Sequence, residues 1–263
     1  MNVIYILNNN YNLFLKSSLI SLLKNRKTNY NLNIYIIIED HLDDIEEILN
    51  LYPNINIIYY KNTSLTFFES MHITSVAYYR LFLADILPQN IKKCLYLDVD
   101  TIILSDLYKL YNTDISDYVY AGVLDVHPAH LKEKNYINSG VLLINLETIR
   151  NKSYISKYTH FIKNEKIIPF HDQTIINVIH KDQIKLLSSE YNISNRMISR
   201  PQVVDMILEK REKYKDISRR DLIINIYRPK IIHFIDKPNF NSPNSVNYEE
   251  LMWLYLNMYV NNE

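Results

Sequence analysis

The chain reads as an α/β protein with a mostly parallel central sheet flanked by helices. Three observations predict it. Residues 2–7, 34–38, 55–60 and 94–97 are strand-length runs rich in isoleucine and tyrosine, apolar on both faces, as in a sheet covered on both sides. Residues 13–23 and 42–51, lying between strands, have helical length and amphipathic patterning. Strands alternating with helices favour parallel pairing through crossovers. With 263 residues, 48% of them hydrophobic, the chain can bury one sizeable core.

The remaining elements follow in order. Residues 75–87 form a helical pattern, with Val76, Tyr79, Leu83 and Ile86 at helical spacing and Pro88 as its stop. Residues 118–124 and 139–145 read as strands, and 146–161 and 172–180 as helices. The polar, charge-rich stretch 190–221 is placed outside the sheet, 230–234 is a late strand, and 248–259 is an aromatic helix. Neither a repeat nor a low-complexity linker interrupts the chain. The expected organisation is one domain over 1–240, with the C-terminal segment 241–263 packed on it as a helix.

Composition narrows the function. Lysine plus arginine and aspartate plus glutamate number 29 each, which leaves no electrostatic footprint for nucleic acid. The single cysteine, Cys94, lies in an apolar run, so no disulfide can form within the chain. The first residues lack the basic start of a signal peptide, and no run reaches the ~18 apolar residues of a membrane span. A reduced, cytoplasmic setting is expected. Only two glycines, Gly122 and Gly140, occur, against 23 tyrosines. A glycine-rich phosphate loop is therefore excluded, and any bound diphosphate needs other groups to neutralise it.

The sharpest feature is Asp98-Val99-Asp100 behind the buried strand. Residues two apart on an extended chain point to one side, and ligands bind at the carboxyl ends of parallel strands. Two hard oxygen donors there suit Mg²⁺ or Mn²⁺. With 16 aspartates in the chain, chance alone supplies about one such triplet, so its surroundings decide. Those surroundings are Asn10-Tyr11 after the first strand, Ser75-Val76-Ala77-Tyr78-Tyr79-Arg80-Leu81 with Leu87-Pro88, and Tyr96-Leu97 before the acids. Further on come Asn138-Ser139-Gly140-Val141-Leu142-Leu143-Ile144-Asn145-Leu146, His171-Asp172-Gln173-Thr174-Ile175-Ile176-Asn177, Ile232-His233-Phe234 and Lys237-Pro238. In order and spacing these blocks resemble the family-eight retaining glycosyltransferases, the group containing glycogenin and bacterial lipooligosaccharide galactosyltransferases.

The resemblance implies a single GT-A-type, Rossmann-like domain. It also implies Mn²⁺-dependent transfer of glucose or galactose from a UDP-sugar to a hydroxyl acceptor, with retention. Mg²⁺ is the other candidate metal. It makes Asp98, Asp100 and His233 the metal ligands, an imidazole favouring Mn²⁺. Read alone, His233 is a buried strand histidine satisfied by a neighbour. Asn8, Asn10 and Tyr11 fall where the family binds uridine, although the same run is also a good helix-starting loop. Arg80, otherwise an ordinary ion-pairing arginine, falls against the donor. Asp125, otherwise a turn aspartate, matches the family's sugar-binding acid. Asn138 faces the donor sugar, Asp172 binds sugar hydroxyls, and Gln173 sits beneath the anomeric carbon. Glutamine is a poor nucleophile, which favours front-face transfer with Gln173 steadying the cationic sugar; Asp172 as nucleophile is the alternative.

Lys237 matches the family's diphosphate lysine as a point charge. Here the chain departs from the pattern, which has glycine after His-Phe, a longer spacer and tryptophan after Lys-Pro. This chain reads Ile235-Asp236-Lys237-Pro238-Asn239 instead. A catalytically impaired UDP-sugar or glycan-binding module on the same fold is therefore the competing reading. The acceptor, a glycan, a lipid-linked sugar or a protein hydroxyl, is left open. The terminal helix carries Trp253 among its aromatics but no lysine or arginine, so packing on the domain is preferred to contact with a membrane surface.

Overall fold

The computed structural model describes residues 1–27, 29–39, 41–43, 45–61, 75–130, 135–165, 167–199, 205, 209 and 219–235. Lys237, with the altered loop after Ile235, and the expected helix at 248–259 lie outside them.

The strands are β1 (Asn2–Ile6), β2 (Asn33–Ile38), β3 (Ile55–Tyr59), β4 (Lys93–Leu97), β5 (Thr101–Ile103), β6 (Tyr120–Leu124), β7 (Ile137–Asn145), β8 (Ile184–Leu186), β9 (Ile193–Ser194) and β10 (Ile231–His233). Seven form one sheet in the order β3-β2-β1-β4-β7-β6-β8. Its pairs are parallel except those of β7, which runs antiparallel to both β4 and β6. The mostly parallel sheet expected from the doubly apolar runs is thus present. Period-two alternation sends Val3 and Tyr5 of β1 to one core and Ile4 and Ile6 to the other, so both faces are buried. Helix α1 (Asn12–Lys24) covers the first face through Leu15, Leu19 and Leu22, and the short α4 (Tyr108–Tyr111) adds Leu110 to the same core. The stretch 75–86 and the helices α5 (Leu146–Asn151), α6 (Tyr154–Asn164) and α7 (His171–Ile179) cover the second.

Four local differences from the sequence reading have physical causes. The helix expected from residue 42 starts at Ile45 in α2 (Ile45–Leu51). Asp43 is engaged instead by Asn9, whose amide nitrogen donates to Asp43 Oδ2 and whose oxygen accepts from its backbone N–H, each at 2.7 Å. Residues Ser75–Phe82 form a 3-10 helix that turns α-helical only in α3 (Leu83–Ile86). Tyr78 through Ala84 are all buried, so this stretch has no solvent face and lies inside the packing. The expected 146–161 helix breaks at Ser153, whose φ of 52° is left-handed. The end of α5 is pinned there by Arg150, which donates to the carbonyls of Ala84, Leu87 and Ile91. Finally, the stretch 190–221 is outside the main sheet but contributes β9 to a second sheet, β5-β10-β9. Among the described residues, no helix is long and apolar enough to cross a membrane.

The second core hides a polar cluster. The Tyr158 hydroxyl lies 2.7 Å from His180 Nε2 and 3.2 Å from the Tyr120 hydroxyl. Gln183 Oε1, which accepts from Tyr154 at 2.6 Å, faces His180 Nδ1. Nδ1 therefore carries the proton, and Nε2 accepts from Tyr158. Burial first of all pulls the His180 pKa down, from 6.5 to about 4. Between those values the unfolded chain binds a proton that the folded chain refuses, so stability present above pH 6.5 is lost as pH falls towards 4. The loss is about 3 kcal/mol. Urea midpoints measured between pH 7 and 4 should show this slope, and His180→Gln should flatten it. An unchanged slope would show that other groups carry it.

Candidate active site

Strands β1, β4 and β6 end at one sheet edge, and their next residues include Asn8, Asp98 and Asp125. Because β7 runs the other way, its first residues, Asn138 and Ser139, arrive at the same edge. Antiparallel pairing of β10 with β5 sets His233 opposite Thr101, one residue after Asp100. An open cleft at this edge is lined by Asn8, Tyr11, Arg80, Tyr96, Asp98 and Asp100, among others.

The turn at Asn8 is ordered by its own amides. Asn8 Oδ1 accepts from the Asn10 N–H at 3.2 Å, capping a 3-10 turn, Asn9–Tyr11. The reciprocal Asn9–Asp43 pair holds that turn from outside. Asn10 is exposed and is not among the residues lining the cleft.

The acids share one cation. The buried Arg80 guanidinium places Nη2 3.1 Å from Asp98 Oδ1 and Nε 3.2 Å from Asp172 Oδ2, and Nη1 donates to the Ser139 carbonyl at 2.7 Å. It also lies over the Tyr96 ring at 4.4 Å, and the Tyr96 hydroxyl donates to Asp98. Burial opposes charge on Asp98, but Arg80, His233 and the Tyr96 hydroxyl outweigh it and hold its pKa below the ordinary value. Burial pushes Asp172 up, and Arg80 only partly offsets that. Although 3.2 Å apart, Arg80 Nε and Asp172 Oδ2 are misaligned and make no hydrogen bond.

On the other side of Asp98, His233 Nε2 lies 3.2 Å from Asp100 Oδ1 and 3.5 Å from Asp98 Oδ2. Burial alone lowers the His233 pKa, but Asp100 and Asp98 raise it overall. One donor atom from each of Asp98, Asp100 and His233 lies within 4.8 Å of the other two, a set that could hold a metal ion. Room for it comes from Gly140. A Cβ there would lie 2.2 Å from His233 Cε1 and 2.8 Å from Asp98 Oδ2. What approaches Gly140 is thus mostly the imidazole.

A chain of amides runs from His233 to the opposite wall. His233 Nδ1 meets Asn192 Oδ1 at 3.1 Å, and Asn192 Nδ2 donates to Asn138 Oδ1 at 2.9 Å. Asn138 Nδ2 donates to Gln173 Oε1 at 3.3 Å, and Gln173 Nε2 donates to Asp125 Oδ2 at 3.2 Å. His130 Nδ1 closes on the same Asp125 oxygen at 2.6 Å. Burial works against the Asp125 charge, but the His130 hydrogen bond outweighs it and lowers the pKa. Asp172 and Gln173 lie in the first turn of α7, directly after its first residue, His171, whose φ of 49° is left-handed.

Comparison with known proteins bears on this arrangement. The family described as "Glycosyl transferase family 8" matches residues 2–238. The chain belongs to that family. Among curated relatives, general stress protein A of Bacillus subtilis (strain 168) is 28% identical over 201 residues, 72% of this chain and 67% of that protein. Glycosyltransferase GlyF of Streptococcus pneumoniae serotype 4 is 23% identical over 188 residues, and the aligned part spans 42% of its length. Among solved structures, galactosyltransferase LgtC in complex with donor and acceptor sugar analogs superposes with a TM-score of 0.75 at 19% identity, covering 98% of this chain and 95% of that one. The family 8 chain thus has the GT-A-type fold.

Of the residues picked from the sequence, Asp98, Asp100 and His233 meet at one point, and Arg80 joins Asp98 to Asp172. Asp125, Asn138 and Gln173 form the far wall. Asn192, His130, Ser139 and Tyr96 were not picked. Asn192 lies in the stretch set outside the sheet, and nothing in its neighbours marks it. His130 follows Asp125 by five residues in a loop, with no periodicity to expose it.

Proposed function

We propose that this family 8 glycosyltransferase moves a hexose, glucose or galactose, from a UDP-sugar to a hydroxyl acceptor with retention, using a divalent metal, Mn²⁺ before Mg²⁺. The observation that carries it is the convergence of Asp98, Asp100 and His233 beside the cleft that Asn8 and Tyr11 line. Two carboxylates and an imidazole are a donor set that fits such an ion, and Gly140 keeps the space open. When bound, the ion supplies positive charge against the leaving diphosphate.

The chain's own residues do the rest. Asn8 and Tyr11 hold the uracil, Tyr11 by its ring face and Asn8 by the edge of its turn. Arg80, kept charged by Asp172 and Asp98, stands between diphosphate and sugar. Asp172 Oδ2 lacks an aligned donor, so a sugar hydroxyl completes it. Lys237, two residues past Ile235 in the sequence, is assigned to the diphosphate. Gln173 Oε1 accepts from the Ser139 N–H at 3.0 Å and from Asn138, so its amide is fixed rather than free to attack. Asp172 faces the Arg80 guanidinium at 3.2 Å, which draws on the charge that a nucleophile would use. Both features support front-face transfer, with Asp125 and Asn138 holding Gln173 and reading sugar hydroxyls. The acceptor is a glycan, a lipid-linked sugar or a protein hydroxyl.

Calorimetry should show UDP binding that strengthens with Mn²⁺, and equal affinity in EDTA would remove the metal from the reading. With an α-linked donor, NMR should find an α-linked product. Gln173→Ala is expected to slow transfer about 100-fold and leave the α-linkage. A β-linked product would refute retention, and UDP binding without transfer to any acceptor would leave a binding module.

A further inference from the structure

We propose that Asn192 is a positioning residue of the metal site, its side-chain carbonyl holding the His233 Nδ1 proton so that Nε2 faces Asp98 and Asp100. The inference rests on the metal reading above for its purpose, but its geometry stands apart from it. Two backbone N–H groups, which can only donate, set the polarity. The Gly140 N–H lies 2.9 Å from the side-chain atom of Asn138 that also meets Asn192, so that atom is the amide oxygen Oδ1. Asn192 must then present its NH₂ to Asn138 at 2.9 Å, which leaves its oxygen for His233 at 3.1 Å. An oxygen acceptor at Nδ1 requires a proton on Nδ1. The Ser139 N–H fixes Gln173 Oε1 in the same way at 3.0 Å, which agrees with Asn138 Nδ2 donating to it.

Without a cation, the carboxylates of Asp100 and Asp98, 3.2 and 3.5 Å away, favour a second proton on Nε2. A cation between them would displace that proton and meet the Nε2 lone pair, with the one remaining proton held on Nδ1. A histidine that ligates a cation needs that lone pair, and its other ring nitrogen commonly donates to an oxygen that fixes tautomer and orientation. Asn192 meets both requirements. It is buried, it reaches the site from the residue just before β9, and β9 pairs with β10 so that Ser194 sits beside His233. The small second sheet therefore carries both the ligand and the group that orients it. The same amide also reaches Asn138 on β7, so the metal side and the Gln173 side share one oriented network.

Mn²⁺ alone, titrated calorimetrically into the full chain, is the probe. Asn192→Leu keeps the volume and removes the acceptor, and it is expected to weaken Mn²⁺ binding about 10–100-fold. Asn192→Asp still accepts from Nδ1, although its second oxygen then faces Asn138 Oδ1 where Nδ2 donated. It is therefore expected to bind Mn²⁺ less tightly than wild type but at least about threefold more tightly than the leucine variant. A disruption of the fold alone would weaken both alike. Leucine binding Mn²⁺ like wild type, or aspartate as weakly as leucine, overturns the proposal. Should a variant not fold, long-range ¹H–¹⁵N correlation on the wild type with diamagnetic Mg²⁺ decides. His233 should show its only proton on Nδ1, and a ring protonated on Nε2 and not on Nδ1 overturns the assignment. If wild type takes up neither ion, the metal reading fails and the positioning role fails with it, whereas a leucine variant that binds Mn²⁺ like wild type fails the positioning role alone.

Discussion

Asp98→Asn is expected to lower transfer by about 10²–10³-fold or more while leaving the fold in place. The substitution keeps the shape of the side chain, so the Tyr96 hydroxyl still has an oxygen to donate to. What disappears is one negative charge from a site where it faces Arg80 at 3.1 Å and His233 at 3.5 Å. Losing the Arg80 pair costs stability, but removing repulsion between Asp98 and the nearby Asp172 offsets part of it. Arg80 also keeps Asp172 and the Ser139 carbonyl as partners. The melting temperature should therefore stay within about 4 °C of wild type. Turnover, Mn²⁺ titration and circular dichroism on one preparation separate the outcomes. Native-like spectra with near-normal turnover would take the metal away from Asp98.

Gly140→Ala should disable metal binding through a single methyl group. Gly140 has no positive φ, so backbone strain plays no part and the effect is one of space. The new carbon would stand 2.2 Å from His233 Cε1, 2.7 Å from its Nδ1 and 2.8 Å from Asp98 Oδ2. Neither neighbour can move freely. The imidazole is held by Asn192 and by its place in β10, and the carboxylate by Arg80 and Tyr96. The backbone is tied too, because the Gly140 carbonyl accepts from the Asp98 N–H at 2.8 Å. Strain of about 1–3 kcal/mol follows, seen as a lower melting temperature. A displacement of about 1 Å at a ligand costs about 100-fold in function, so Mn²⁺ affinity and turnover should fall together. Wild-type Mn²⁺ affinity in this variant would mean that the cluster is not the binding site.

Much of this was legible in the sequence, for identifiable reasons. The runs that became β1, β2, β3 and β4 could be read because they are apolar on both faces and five or six residues long. The two- and three-residue strands β5, β8 and β9 could not, since so few residues show no periodicity; β10, just as short, was read from the run 230–234 around it. The 3-10 geometry of Ser75–Phe82 is set by burial on all sides, a tertiary property that spacing does not reveal. In the site, Asp98 and Asp100 share an edge by strand geometry, and the pairing of β10 with β5 brings His233 to them from 133 residues downstream of Asp100. That distance is why His233 was read from resemblance rather than from spacing. Asn192 belongs to the same class, a contact made by folding and unmarked locally.

The reversed strand β7 has a consequence for how this protein can change. Three consecutive residues at its start reach three different destinations: Asn138 touches Asn192 and Gln173, Ser139 touches Arg80, and Gly140 makes room for His233. They are embedded between β4 and β6, not displayed on a loop. A slip of one position along either neighbour would misplace all three at once, together with the Val141–Ile144 core. Exchanging surface loops, the easiest edit for evolution or engineering, therefore leaves these three residues untouched. New preferences at these positions must be written one side chain at a time inside an intact sheet.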